Sequence, residues 1–136
     1  MTARLDRDAA TAVADTALAE AASRGLRVSV AVVDERGHDL VVVRGDGAAW
    51  FTPGVARAKA ATAAAMGRPT SDLADLREAH PELLDLLAGQ VAHPLTTLPG
   101  GLPLMADGRC VGAVGVSGAH PDDDVACAAT AAAAAS

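Results

Sequence analysis

The chain has 136 residues, a formal net charge of −6 and 51% hydrophobic residues, but only one Trp, one Phe and no Tyr. That length fits a single domain over residues 1–136, able to bury about two thirds of the surface exposed by its unfolded chain. The acidic balance, without a basic stripe or basic–aromatic interleaving, argues against nucleic-acid binding, and no apolar run approaches the roughly 20 residues of a membrane span.

The opening MTARLDRDAA lacks the apolar core of a secretory signal, so a soluble cytoplasmic protein is expected. With so few aromatics the core must be built from Ala, Val and Leu, which favours close packing of helices on a sheet. Leu5 to Arg24 reads as a helix capped by Asp6 and stopped by Gly25, with Val13, Ala17, Leu18 and Ala21 as its apolar stripe. RVSVAVVD and HDLVVVR are β-branched runs joined through ERG, a hairpin with Gly37 in its turn. Both faces of the first strand carry small or apolar residues, so both should be covered.

Thr52-Pro53 opens a second helix, with Thr52 as N-cap and Pro53 at the first helical position, running to about Met66 and ending at GRP. A short third helix starts at Thr70 or Ser71, and HPELLDLLAG forms a fourth. The run LTTLPGGLPLMADGRCVGAVGVSG holds two or three strands, with the Asp-Gly pair of ADGR suited to a hairpin. Pro121 begins a final, alanine-rich helix. Hairpins and grouped helices point to an antiparallel sheet with helices packed on it, an α/β (α+β) fold without β-α-β alternation.

The stretch CVGAVGVSGAHPDDD, residues 110–124, invites three chemical readings that its spacing rejects. A dinucleotide loop needs G-x-G-x-x-G opening a helix and an acid about 20 residues later; here the glycines fall three apart. A phosphate loop needs Gly-Lys-Ser/Thr, and a nucleophile elbow needs a glycine two residues after the serine, where this chain has Ala119. A steric role survives: Gly112 and Gly115 lie on opposite strand faces and make room for close approach. Gly118 turns the chain into the final helix, which His120 caps and whose first turn carries Asp122, Asp123 and Asp124, acids that complement the helix dipole. Cys110 and Cys127 fit no disulfide framework or zinc motif and read as buried free thiols.

Together, VSVAVVDERGHDLVVVRGDGA, ARAKAATAAAMGRPT and PGGLPLMADGRCVGAVGVSGAHPDDD resemble the GlcG/HbpS family, also called the haem-degrading or DUF336 family, over nearly the whole chain. The resemblance implies a profilin-like, three-layer α/β/α domain with a five-stranded antiparallel sheet, and homo-oligomers. It also implies a small-molecule ligand, with haem as a possible cofactor. Between Arg68 and Pro99 the chain departs from the common family pattern.

Several residues could carry chemistry. Of the four histidines, His80, His93 and His120 precede proline, which keeps them extended or at a helix start. His80 and His120 suit N-cap positions. His93 falls before the LPGG segment that the resemblance places near the ligand pocket, where it would serve as iron ligand or acid–base residue. Lys59 lies mid-helix on the face of Val55, Thr62 and Ala63 and needs a carboxylate, a carbonyl or an anionic ligand, with Asp34 a plausible structural partner. Arg68, at the helix exit, could bind a carboxylate through its fork, and the amides of Gly100 and Gly101 could receive an oxyanion; Ser117 joins this ligand-contact set.

The leading reading is a small-molecule-binding protein holding haem or another carboxylate-bearing ligand near a subunit interface. Lys59 and Arg68 supply charge there, Gly100 and Gly101 close approach, and His93 or His120 the iron ligand if haem binds. The competing reading is a cofactor-independent isomerase, lyase or hydrolase acting on a small polar metabolite, with His93, His120 and Lys59 as catalytic groups. The scarcity of aromatics favours that enzyme reading more than is usual in the family. A third reading is a structural oligomer without chemistry.

Overall fold

A computed structural model describes residues 4–135. The first three residues of the MTARLDRDAA stretch therefore lie outside the described residues. The elements follow in the order α1 (Arg7–Ser23), β1 (Ser29–Asp34), β2 (Asp39–Arg44), α2 (Thr52–Met66), a 3-10 turn (Thr70–Asp72), α3 (Leu73–Ala79), α4 (Pro81–Ala88), β3 (Gly101–Ala106), β4 (Arg109–Ser117) and α5 (Pro121–Ala135). The strands form one antiparallel sheet in the order β2-β1-β4-β3. Among the described residues no helix is long and apolar enough to cross a membrane.

The sheet has four strands, not the expected five. Thr96 and Leu98, in the stretch where a further strand was expected, satisfy their backbone through side chains. Thr96 N donates to Thr62 Oγ1 at 3.1 Å, Leu98 N to Thr96 Oγ1 at 3.1 Å, and the Leu98 carbonyl accepts from Thr70 Oγ1 at 2.7 Å. With these groups already bonded, the segment has no ladder to offer. β3 is thus an edge strand, where Pro103 costs no inter-strand bond.

The two central strands separate two cores by strand alternation. Val30, Val32, Val114 and Val116 meet Val13, Ala14 and Ala17 of α1 and Cys127, Ala128 and Ala131 of α5. On the other face, Ala31, Val33 and Ala113 meet Ala56, Ala60, Ala63 and Ala64 of α2. That second face is built from small residues, so α2 lies almost on the strands. A Cβ on Gly115 would collide with the Ala56 carbonyl and come within 2.7 Å of Ala60 N, while one on Gly112 would come within 2.8 Å of Leu5 on the opposite face. The two glycines do make room on opposite faces.

The cap of α1 and the β3–β4 turn follow the local chemistry, and the cap of α2 does not. Asp6 accepts from Ala9 N at 2.8 Å and caps α1. Asp107 (φ 51°) and Gly108 (φ 77°) are both left-handed, as a two-residue hairpin loop requires. Thr52 does not cap α2: Phe51 holds the cap position, and the Thr52 hydroxyl donates to the Ala49 carbonyl while accepting from Ser29 Oγ, each at 2.8 Å. Burial beside Ser29 gives that hydroxyl better partners than the helix amides.

Candidate functional site

The closeness of α2 to β4 creates a cleft of about 390 Å³ on one flank of the helix, between Thr52, Val55 and Lys59, the Leu98–Pro99 segment, and the turn from Ser117 into α5. Its walls are largely apolar. Phe51 and Leu98 stand half-exposed at the rim, and Trp50, packed edge-on against Phe51 at 5.7 Å between ring centres, is 81% exposed.

The polar floor is a buried ion pair. Lys59 Nζ donates to the Val116 carbonyl at 2.7 Å and to Asp124 Oδ2 at 3.1 Å, and both side chains are about 4% exposed. Asp124 Oδ1 accepts from Ala119 N at 3.0 Å, which ties the turn before α5 to the same carboxylate. Burial is the dominant influence on both groups and works against their charges, pushing Lys59 below and Asp124 above its ordinary pKa, while mutual attraction opposes both shifts. Gly100 covers the pair: a Cβ there would lie 3.0 Å from Lys59 Nζ, 3.2 Å from Asp124 Cβ and 2.7 Å from the Val116 carbonyl oxygen, and its φ of +123° already favours glycine.

These contacts reassign several sequence expectations. Lys59 does have a carbonyl and a carboxylate, but the carboxylate is Asp124 and not Asp34. The Asp34 side chain closes its own turn, accepting from Arg36 N at 2.8 Å and His38 N at 3.0 Å. Gly101 N donates to Thr70 Oγ1 at 3.0 Å, so that amide is already engaged. Ser117 is buried and lines the cleft. Arg68 is exposed beyond the left-handed Gly67 that ends α2 and does not line this cleft.

His120 sits at the start of α5 between two cleft residues, Ala119 and Pro121. It does act at the helix start, where its Nδ1 accepts from Asp122 N at 3.3 Å, and its side chain is 70% exposed. His80 holds the cap position of α4 without a side-chain bond to the helix. His93 is elsewhere: it lines a second cleft with Arg36, His38 and Arg57. The structure therefore brings Lys59, Gly100 and Ser117 together, with His120 alongside, and separates Arg68 and His93 from them. No group of three or more His, Cys, Asp or Glu among the described residues is placed to hold a metal ion. Cys127 is buried, as expected; Cys110 is only partly so.

Asp124 escaped the sequence reading because three consecutive aspartates all suit a helix N-terminus. A signal was present. Asp124 shares its helical spacing with Cys127, Ala128 and Ala131, the residues α5 buries, whereas Asp122 and Asp123 fall off that stripe.

The chain matches the family model described as "Haem degrading protein HbpS-like" over residues 5–133. It is similar to Protein GlcG of Escherichia coli (strain K12), 35% identical over 115 residues that cover 83% of this chain and 81% of that protein. Among solved structures it is similar to a double mutant of Streptomyces reticuli HbpS, at a TM-score of 0.87 and 38% identity, covering 98% of this chain and 88% of that one. It is also similar to PduOC, solved as a haem complex, at a TM-score of 0.83 and 31% identity over 96% of this chain and 94% of that one. With the match running from the first helix nearly to the end of the last, the chain belongs to the HbpS-like, haem-degrading (DUF336) family.

Proposed function

We propose that the protein is a small-molecule-binding member of this family, taking haem or another carboxylate-bearing ligand in the cleft between α2, the Leu98–Pro99 segment and the start of α5. The observation that carries the reading is the cleft's apolar wall with an exposed aromatic and leucine rim on an otherwise aromatic-poor chain. Exposed apolar surface of that kind is what a ligand or a second subunit covers, and PduOC, a relative of similar fold, was solved with haem.

The apolar walls suit the macrocycle, and His120, which stands between the lining residues Ala119 and Pro121, would be the iron ligand, whereas His93 lines the other cleft. The lining residues do not fit a carboxylate at the floor, because Asp124 neutralises Lys59. The ligand's carboxylates would therefore point outward, toward solvent or a neighbouring subunit. Haem titration followed at the Soret band tests the reading. The wild type is expected to give a saturable band that His120→Ala shifts or abolishes and His93→Ala leaves unchanged. Absence of a saturable band would overturn the haem assignment, and a band insensitive to His120→Ala would overturn the ligand assignment.

A further inference from the structure

The opposite flank of α2 holds a second cleft, of about 490 Å³, that the proposed function leaves unused. Thr52, Val55 and Lys59 face the first cleft, whereas Arg57 and Ala65 line the second, on roughly the other side of the helix wheel. Three chain segments supply polar groups to it: Arg36 and His38 from the β1–β2 turn, Arg57 from α2, and His93 from the segment after α4. Asp39 is the only carboxylate among the lining residues, against Arg36 and Arg57, and Asp34 just outside them holds its Oδ2 3.8 Å from His38 Nδ1.

Arg57 and His93 are held by side-chain bonds, and Arg36 by the backbone of its turn. Arg57 pairs with Asp39 through two contacts, Nη2–Oδ2 at 2.7 Å and Nε–Oδ1 at 3.2 Å. That pairing uses one edge of the guanidinium and leaves the Nη1 hydrogens for a ligand. The turn bearing Arg36 is closed by the two amide bonds to Asp34 and by Gly37 at φ +83°. His93 Nδ1 lies 2.9 Å from the Pro94 carbonyl oxygen. A carbonyl can only accept, so Nδ1 carries the hydrogen, and Nε2 donates to an anionic ligand only when the ring is protonated. A Cβ on Gly37 would meet His93 Cδ2 at 3.6 Å, so the turn and the imidazole are within van der Waals reach of each other.

We infer that this second cleft binds a phosphoryl group, carried by inorganic phosphate or by a phosphomonoester. Donors on a turn and a helix, joined by the loop imidazole when it is protonated, line the one cleft. A tetrahedral head with several oxygens can accept from all of them, whereas a planar carboxylate is matched by one guanidinium fork. With Arg57 matched to Asp39, Arg36 carries the cleft's excess positive charge, which favours an anion.

The test is calorimetric titration of the full chain with inorganic phosphate, phenyl phosphate and acetate at constant ionic strength, with the ring signals of all four histidines followed by NMR. Phosphate or phenyl phosphate is expected to shift His93 and His38 while leaving His80 and His120 in place. Tighter binding of phenyl phosphate identifies an ester as the natural source, and equal or weaker binding identifies the free ion. Arg36→Met, an exposed position, is expected to weaken binding at least about tenfold with an unchanged melting temperature. Arg57→Gln should weaken binding as much, and its melting curve reports the lost Asp39 pair separately. Equal shifts at all four histidines, acetate binding as tightly as phosphate, or indifference to Arg36→Met would each overturn the inference. Haem absorbance reads the other flank, so its outcome is independent of this one.

Discussion

Replacing Lys59 and Asp124 singly and together tests whether the floor of the first cleft is a structural ion pair or an anion site awaiting a ligand. At 3.1 Å and an effective dielectric of about 20, their attraction is roughly 5 kcal/mol. Desolvation costs several kcal/mol per ion, so the net value of the pair is small although each partner depends on the other. Lys59→Met or Asp124→Leu alone leaves one charge buried beside Gly100 and should cost about 3–5 kcal/mol. For a chain of this size that lowers the melting temperature by roughly 10–20 °C. The double variant should cost no more than either single, giving a coupling of at least about 3 kcal/mol in a cycle measured by urea denaturation. Additive single losses, or a Lys59→Met variant as stable as the wild type, would refute the reasoning and return Lys59 to the role of a free cation.

Acid should act on the same pair with a definite sign. Burial raises the Asp124 pKa in the fold above its ordinary 3.8, so between these values the folded chain binds more protons than the unfolded one. The stability contributed by this group therefore grows as pH falls through that window and is lost as pH rises past the folded value. Urea midpoints taken across it should fall less steeply on acidification for the wild type than for Asp124→Leu. Gly115→Ala drives a methyl into the Ala56 carbonyl and should cost about 1–3 kcal/mol or more. Gly54→Ala, with nothing within 4 Å of the new methyl, should stabilise by about 0.4–1 kcal/mol; calorimetric melting of both variants checks the contrast. Thr70→Val removes the hydroxyl shared by the Leu98 carbonyl and Gly101 N and should cost about 1–3 kcal/mol, read as a lowered melting temperature. If the Trp50, Phe51 and Leu98 rim is covered by a second subunit, light scattering should show an oligomer that Trp50→Ser weakens.

Local chemistry was legible wherever neighbouring residues decide the outcome. Asp6 as a cap, Gly37 and Asp107-Gly108 in turns, Pro53 in the first turn of α2 and the opposite faces of Gly112 and Gly115 all depend on a few adjacent positions, and the structure places each as read. The need of Lys59 for a partner was equally legible, since an ammonium on an apolar helix face cannot be left alone. The family could also be read from the chain, because its motifs are short and continuous.

The partner itself was decided only by tertiary structure. Lys59 and Asp124 are 65 residues apart, and they meet because small side chains on β1 and β4 let α2 sink onto the sheet while Gly118 turns α5 back toward it. Asp34 satisfied the same chemical requirement on paper, but its carboxylate was taken by amides two and four residues away. The strand count failed for a related reason: hydroxyls on Thr62, Thr70 and Thr96 claimed the backbone groups that a fifth strand would have used. His93 and Arg68 were read by proximity along the chain to the glycine loop and to α2, yet the fold puts neither beside Lys59. Sequence states which groups need partners; the path of the backbone determines which partners arrive first.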